Sequence, residues 1–406
     1  MADLTPPEGV VERLAELAVA FGANIRKGQI VGLTAELGGH EPLVRAIAEQ
    51  AYKHGARFVD VNWFDPHVKR ARIQHAVDAE SLEFVPPWYG NRLLGLAREG
   101  GAIIVVSGTT EPGLLDDLDP ARVGRDRLPA IKESIGVIND RSVNWTIVPY
   151  VTEAWARLVR PDVPIEEAYA TLWDEVAHVC RLDEDDPVAA WNSRMDANER
   201  AANRLTELAF DALRYHGPTI DLELGLLPTS KWHHTRFSTA DGHVHHPNIP
   251  SEEVFTSPDP QRAEGWAEST KPLVLIDGSV VRGLRVRFEG GRAVEIEADE
   301  GGQTLTARVD TDEGGRRLGE IALVDREGRI GPLGTVFYDT LLDENAASHI
   351  ALGSGFPWAV EEEDVPRVNV SEVHVDFMIG SDEIDVTGVT RDGQEVPVLR
   401  GGAWQI

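Results

Sequence analysis

Acidic residues and histidines recur in short apolar segments of the chain between Glu320 and Asp376. Upstream, NIPSEEVFTSP adds the neighbouring pair Glu252 and Glu253. Carboxylates and imidazoles together can hold a pair of divalent metal ions, which activate water for hydrolysis. The pattern therefore predicts a two-metal hydrolytic site. The segments are LGEIALVD, FYDTLLDENAASHIALG and SEVHVDFMIG, and their candidate side chains are Glu320, Glu344, His349, His374 and Asp376.

The spacing of these residues supports a shared site mainly when they are taken together. His374 and Asp376 are two residues apart in VHVDF, so on a strand both side chains point to one face. Glu320 lies in an apolar strand, where a lone carboxylate is costly to bury unless it is paired or metal-bound. Glu344 and His349 lie in LLDENAASHIAL, which looks helical and would place them about 140° apart. Taken singly, each pair has an ordinary alternative, such as a solvent-facing position.

The elements that must position these side chains fall into two regions. A chain of 406 residues is too long to form one hydrophobic core of ordinary size, so two domains are expected. From 1 to 218, apolar strands alternate with helices, which is typical of a mostly parallel sheet with helices on both faces. A helix is predicted from Asp186 to Tyr215. From 219 to 406, the alternation has period two and includes hairpin turns. The expected fold class is therefore an α/β N-terminal domain, 1–218, followed by a β-rich α+β metal-binding catalytic domain, 219–406.

Composition and charge narrow the class of partners. The chain has 39 basic and 68 acidic residues, a net charge of −29, which disfavours nucleic acid and anionic membranes as partners. No stretch approaches the ~20 apolar residues of a membrane span. The first residues, MADLTPPEGVVERLAE, lack a basic region followed by an apolar one, so we expect no secretory signal and a cytoplasmic protein. The single cysteine, Cys180, excludes an internal disulfide and a thiolate-based zinc cluster.

Four blocks of the sequence, NIPSEEVFTSP, LGEIALV, FYDTLLDENAASHIALG and HVDFMIGS, resemble those of the thermophilic-type metallo-aminopeptidases, the aminopeptidase S and aminopeptidase T type. The N-terminal α/β half is similar to that family as well. The resemblance implies an enzyme that releases N-terminal amino acids from peptides. It also implies two divalent metal ions per chain, peptide substrates with a free N-terminus, and a homodimer.

The same resemblance assigns roles to individual residues. Glu344 is expected to be a further ligand or the general base, and Glu320 is expected both to bridge the ions and to take part in catalysis. Glu253 is preferred to Glu252 because relatives can replace the first residue of that pair. Nitrogen and oxygen ligands without thiolate suit zinc, cobalt or manganese, and the sequence does not choose among them. The implied metal ligands are Glu253, Glu320, His349, His374 and Asp376.

One position departs from the family pattern. Seven residues after His349, where the family is expected to have tyrosine, the segment HIALGSGF places Phe356. A tyrosine hydroxyl could donate a hydrogen bond to the tetrahedral intermediate, and phenylalanine cannot. Either Tyr338 or another donor takes this role, or turnover is weaker.

Two other functions compete with peptide hydrolysis. Two histidines and one aspartate, with His374 and Asp376 among them, match the ligand triad of non-haem iron oxygenases, although that triad leaves three glutamates unexplained. A non-catalytic peptide-binding relative would need a broken ligand set, and each proposed ligand is present.

The charge balance of the chain also has two explanations. Only six of the 39 basic residues are lysine, which favours an acidic, salt-adapted proteome, with an arginine-biased genome as the alternative.

Overall fold

The computed structural model describes residues 4–129, 131–275 and 278–406. The chain divides into two compact units. The first comprises Met1–Leu118, Asp126–Arg194 and Thr235–Ser251, and the second comprises Asp119–Arg125, Met195–His234 and Glu252–Ile406. The domain boundary predicted between residues 218 and 219 stays a prediction.

Helices are concentrated in the N-terminal half of the chain. A π-helical turn, Ala18–Gly22, continues the first helix, and the side chains of Asp65 and Thr152 cap the helices that follow them. The α-helices are α1 Val10–Leu17, α2 Glu41–Lys53, α3 Pro66–His75, α4 Ala79–Glu83, α5 Pro87–Arg98, α6 Pro120–Arg125, α7 Lys132–Asn139, α8 Glu153–Val159, α9 Ile165–Val179, α10 Pro187–Leu208, α11 Gly302–Val309 and α12 Thr340–Glu344.

The strands of the first unit form a four-stranded parallel sheet and a short two-stranded one. The parallel sheet contains β1 Ile30–Glu36, β2 Phe58–Phe64, β3 Ala102–Ser107 and β4 Asn144–Pro149, in the order β2-β1-β3-β4. Buried Val31, Leu33 and Ala35 alternate along β1 with half-buried residues, so this strand has one face in the core.

In the second unit, two antiparallel sheets contain most of the strands. The strands that follow β4 in the chain are β5 Ala212–Gly217, β6 Ile220–Leu226, β7 His233–His234, β8 Phe237–Ser238, β9 Val244–His245, β10 Glu253–Thr256, β11 Pro258–Glu268, β12 Leu273–Val274, β13 Val280–Val281, β14 Arg285–Glu289, β15 Arg292–Glu297, β16 Leu318–Val324, β17 His349–Gly353, β18 His374–Met378, β19 Asp385–Val389, β20 Glu395–Arg400 and β21 Ala403–Trp404. Strands β8 and β9 are the short pair of the first unit.

The larger antiparallel sheet has the order β15-β14-β11-β6-β5-β19-β20-β21. The second has five strands in the order β18-β17-β16-β10-β7, and we call it the site sheet. A parallel sheet with helices, followed by a β-rich region of antiparallel sheets, is the predicted fold class, and that prediction is confirmed.

Two predicted helices are shorter than expected. The helix predicted from Asp186 to Tyr215 ends at Leu208, and Ala212–Gly217 forms strand β5 instead. In LLDENAASHIAL, the helix ends at Glu344, and His349 begins strand β17. Both corrections have the same cause, because cross-strand pairing and burial override local helical spacing. Strand β5 is hydrogen-bonded to strands on both sides, and β17 is buried throughout.

One face of the site sheet belongs to the hydrophobic core of the second unit. Along each long strand of this sheet, every second side chain packs into that core. The opposite face is therefore left for the acidic residues and histidines. The core-facing residues are Val254, Ile321, Leu323, Ile350, Leu352, Val375 and Phe377.

Among the described residues, no helix has both the length and the apolar content needed to cross a membrane.

Candidate metal centre

The strand register brings the predicted ligands onto one face of the site sheet. His349 lies opposite Ala322, and both Glu320 and Asp376 lie opposite Ala351. Residues that are directly opposite in antiparallel strands project to the same face. The small side chains of the two alanines therefore separate the ligand-type side chains and leave space between them.

Glu320 is common to two groups of potential metal ligands. Glu253 and His349 join it in one group, and His374 and Asp376 join it in the other. Within each group, the candidate ligand atoms all lie within 4.8 Å of one another. His349 Nε2 lies 3.1 Å from a Glu253 carboxylate oxygen, and His374 Nε2 lies 3.0 Å from Glu320 and 3.2 Å from Asp376. The structure thus brings together all five residues that the resemblance implied as ligands.

Both histidines are oriented by backbone carbonyls. The Nδ1 atom of His349 lies 2.9 Å from the Glu344 carbonyl oxygen, and that of His374 lies 2.8 Å from the Ser354 carbonyl oxygen. With the proton on Nδ1, each ring donates this hydrogen bond and directs the Nε2 lone pair toward the carboxylates. Metal-binding histidines commonly have such an arrangement, because it fixes both the tautomer and the ring orientation.

The carboxylates of the site interact electrostatically. Burial raises the pKa of Glu344 well above its ordinary value, and the negative charges of Asp376 and Glu253 raise it further. Burial also raises the pKa of Glu320, although its hydrogen bond with His374 acts in the opposite direction. Burial would raise the pKa of Asp376 too, but the charge and hydrogen bond of His374 outweigh it and lower that pKa.

The histidines respond to the same charges. Burial lowers the pKa of His349, yet its contact with Glu253 and the nearby carboxylates outweigh burial and raise that pKa to about 10. Burial likewise opposes the effect of Asp376 and Glu320 on His374, whose pKa is raised well above its ordinary value. The carboxylates thus favour positive charge at the positions of both rings.

The donor set fits a pair of divalent cations. Four carboxylates, those of Glu253, Glu320, Glu344 and Asp376, face two imidazoles. Even if both rings were protonated, four ionised carboxylates would leave two negative charges unbalanced. Buried charge of this kind is costly unless it is paired or coordinates metal. Oxygen and nitrogen donors around a shared carboxylate are suited to two dications.

Glu344 lies beside the two ligand groups and belongs to neither. It is the last residue of α12, and the Asn345 amide lies 3.4 Å from its carboxylate. Glu252 is engaged elsewhere, because its side chain accepts a hydrogen bond from the backbone N–H of Arg329, at 3.3 Å. The structure therefore places Glu253, rather than Glu252, in a ligand group.

Sequence reasoning missed Asn345, which is fully buried behind the site. Its side-chain oxygen accepts a hydrogen bond of 2.6 Å from the Glu252 backbone, and its amide donates one of 3.0 Å to the Leu341 carbonyl. Asn345 thereby links the start of β10 to the end of α12, and so connects the segments that carry Glu253 and Glu344. Its position directly after Glu344 in DENAASH was the available signal.

Phe356 lies beside the second ligand group. Its ring centroid is 5.7 Å from that of His374, so the position where the resemblance leads us to expect tyrosine falls within the site region. The hydroxyl group of Tyr338, the expected substitute donor, accepts a hydrogen bond of 3.1 Å from Arg282. The Arg282 guanidinium also lies over the Tyr338 ring. The Tyr338 hydroxyl thus has a hydrogen-bond partner outside the ligand groups.

Comparison with known proteins agrees with this geometry. The family model described as thermophilic metalloprotease (M29) matches residues 8–404. The chain belongs to that family. It is similar to aminopeptidase T of Thermus thermophilus, with 41% identity over 98% of both chains, and to aminopeptidase 2 of Geobacillus stearothermophilus, with 36% identity over 98% of both chains. The solved structure of wild-type AmpT from Thermus thermophilus matches with a TM-score of 0.86 and 40% identity, covering 98% of this chain and 99% of that one.

Family membership decides between the competing functions. The predicted family and the predicted class of enzyme, a metal-dependent aminopeptidase, are confirmed. Neither the non-haem iron oxygenase nor the non-catalytic binding protein is supported by these matches. Membership of a metalloprotease family also implies that the chain uses a divalent metal.

Proposed function

We propose that this metallo-aminopeptidase holds two divalent ions, one between Glu253, Glu320 and His349, and the other between Glu320, His374 and Asp376. The observation that supports this most strongly is that Glu320 is shared by the two ligand groups. A carboxylate has two oxygens and can serve two cations at once. When bound, such ions make water nucleophilic near neutral pH and polarise the scissile carbonyl group. Zinc, cobalt and manganese all suit the oxygen and nitrogen donors.

Glu344 is the residue that we propose to move the proton. Burial and the negative charges of Asp376 and Glu253 raise the pKa of its carboxylate, and a raised pKa makes a carboxylate a better acceptor of a proton. In the proposed mechanism, Glu344 accepts a proton from the attacking water and then donates it to the nitrogen of the leaving amine. Glu320, whose pKa is also raised, is the alternative carrier for the same transfer.

The excess negative charge of the site supports a requirement for a free substrate N-terminus. A peptide brings a basic α-amino group next to the carbonyl group that is to be cleaved. Acetylation of that amino group removes both its charge and its capacity to act as a ligand. We therefore propose that the substrates are peptides with an unblocked first residue, and that the enzyme releases that residue.

A homodimer and a cytoplasmic location are also proposed. The dimer follows from the family resemblance. Sedimentation of the purified protein and fractionation of the producing cells test them separately from the chemistry.

The direct test of the proposed function is to compare a tripeptide with its N-acetylated form. Release of the first amino acid from the free peptide, and at least ten times less release from the acetylated one, is the expected result. A chelator should abolish release, and added divalent ions should restore it. Equal cleavage of both peptides would contradict the exopeptidase assignment and indicate a general amidase.

A further inference from the structure

The ligand face of the site sheet continues into aromatic residues. Phe255 follows Glu253 by two positions on β10, so both side chains project to the same face. Phe255 also pairs with His233 of β7 and with Ala322 of β16. The face that carries the ligands therefore becomes aromatic toward the β7 edge of the sheet.

Two further rings from one loop complete this surface. Phe356 and Trp358 lie 5.0 Å apart between ring centroids, and their distances from Phe255 are 5.5 and 5.9 Å. The ring of His233 lies 4.9 Å from Trp358, in an edge-on arrangement. We call His233, Phe255, Phe356 and Trp358 the aromatic wall. Phe255 is 2% exposed, whereas the other three members are partly exposed.

The aromatic wall adjoins the metal ligands directly, because the Phe356 ring lies 5.7 Å from the ring of His374. In a peptide substrate, the first side chain branches from the Cα atom that joins the α-amine to the scissile carbonyl. That Cα atom is one bond of about 1.5 Å from each of them. When the scissile carbonyl group reacts beside the metal ligands, the first side chain of the substrate therefore lies within one side-chain length of those ligands.

The groups that surround the site differ in polarity. Glu344 and the Glu253 carboxylate offer negative charge, which suits the α-amine. The aromatic wall offers ring faces and edges, which are suited to an apolar group that leaves water on binding. An apolar first side chain would therefore gain contact on the wall, whereas a charged one would lose hydration there.

We propose that the aromatic wall is the subsite for the first side chain of the substrate, and that it favours peptides with a large apolar N-terminal residue. This proposal rests on the proposed aminopeptidase mechanism. Phe356 and Trp358 contact the side chain, and Phe255 and His233 support them from behind. Specificity for size follows from the area of the wall, because each methylene in an apolar pocket changes discrimination by about 10-fold or more.

The test compares leucyl, alanyl and glutamyl p-nitroanilides with the wild-type protein and with Trp358→Ala. The wild type should hydrolyse the leucyl compound with a kcat/KM at least about 10-fold higher than that for the alanyl compound. In Trp358→Ala, this ratio should fall by about 10-fold, with most of the change in KM. Trp266→Ala is the matched control. It removes an exposed tryptophan from β11 of the other antiparallel sheet, and the ratio should not change.

Phe356→Leu is the second variant, in case Trp358→Ala does not fold. It should also lower the ratio of kcat/KM between the leucyl and alanyl compounds. Titration calorimetry with L-leucine and glycine measures the subsite without turnover, and leucine should bind about 10-fold more tightly. A leucyl-to-alanyl ratio that stays unchanged in a folded variant with its metal content intact would overturn the proposal. So would a preference of the wild type for the glutamyl compound. If no compound is hydrolysed, the mechanism fails, while the calorimetry still decides whether the wall binds leucine.

Discussion

Lys69, Arg72 and Asp126 form a buried charged group in the first unit, and the candidate metal ligands form another in the second. In the first group, Asp126 lies 3.6 Å from the Lys69 ammonium and 3.0 Å from the Arg72 guanidinium. The side chains of Lys69 and Asp126 are 4% and 0% exposed. The chain supplies both signs of charge to this group, and the Lys69 ammonium also donates a hydrogen bond to the Leu128 carbonyl, at 2.6 Å.

In the second group, carboxylates outnumber the cations that the chain supplies. Four acidic side chains share two histidines, and the pKa of each histidine is raised by its carboxylate neighbours. Burial of charge costs several kcal/mol per ion unless opposite charge compensates it. The comparison shows how a structural ion pair differs from a metal site. The first is balanced by the protein itself, whereas the second has a negative excess that requires cations.

The largest effect should come from Glu320→Gln, which keeps the shape of the side chain and removes the charge shared by the two ligand groups. We expect turnover to fall by roughly 10²–10⁴-fold or more, the range of a positioned acid–base group alone. Metal content should fall with it. Kinetics on a free tripeptide and elemental analysis of the same sample measure both.

Glu297→Gln is the control for this substitution, because it makes the same chemical change at an exposed strand residue of the second unit. It should leave turnover and metal content unchanged. Near-normal turnover and metal content in Glu320→Gln would show that Glu320 does not connect the two ligand groups.

For the buried group of Lys69, Arg72 and Asp126 we expect the opposite outcome, a loss of stability without a loss of metal. Asp126→Asn leaves the buried Lys69 without its carboxylate, and the free energy of unfolding should fall by about 3–5 kcal/mol. The metal content of the folded protein should not change. Urea denaturation and elemental analysis distinguish these effects. Asp117→Asn, which removes an exposed partner of Arg70, is the control and should change stability little. Loss of metal from folded Asp126→Asn would remove the contrast between the groups.

A smaller effect is expected at Phe356, where the family resemblance leads us to expect tyrosine. Phe356→Tyr adds one hydroxyl group next to His374. A well-placed donor to the transition state is worth about 2.7–4 kcal/mol, so kcat should rise or stay unchanged, with little change in KM. Steady-state kinetics and a melting curve test this. A large drop in melting temperature would mean instead that the ring is packed too tightly against Phe255 and Trp358 to admit oxygen.

Much of the site could be predicted from sequence, because its ligands occupy short strands with recognisable patterns. The two-residue spacing of His374 and Asp376 correctly indicates one strand face. The place of His349 could not be deduced in this way, since LLDENAASHIAL has helical spacing and only pairing with β16 and β18 makes its second half a strand. The choice of Glu253 over Glu252 also needed the family resemblance, because neighbouring glutamates look alike in sequence.

Features that depend on contacts between distant segments were not predictable. The aromatic wall joins β7, β10 and the loop after β17, and no local pattern links His233 to Trp358. Most of strand β5 falls in a segment that the sequence predicts as helix. It forms a strand because it pairs with β6 on one side and β19 on the other, and β19 is far away in sequence. Local propensity does not contain such pairings.

The smallest and most general effect concerns surface charge rather than either buried group. With a net charge of −29, repulsion between like charges should destabilise the folded chain at low salt. The screening length falls from about 10 Å at 0.1 M to about 3 Å at 1 M salt, so the melting temperature and the peptidase rate should rise over that range of potassium chloride. A melting temperature that is flat or falls would exclude salt adaptation and leave the enzyme assignment unaffected.

Counting the divalent ions bound per chain is the most direct test of the two-metal site. Chelator-treated protein would be titrated with zinc, cobalt or manganese, and bound metal would be measured by elemental analysis next to the release of amino acid from a free tripeptide. We expect activity to be complete at two ions per chain, and we expect Glu320→Gln not to retain two. Full activity with one ion or none, or two ions retained in Glu320→Gln, would contradict this expectation.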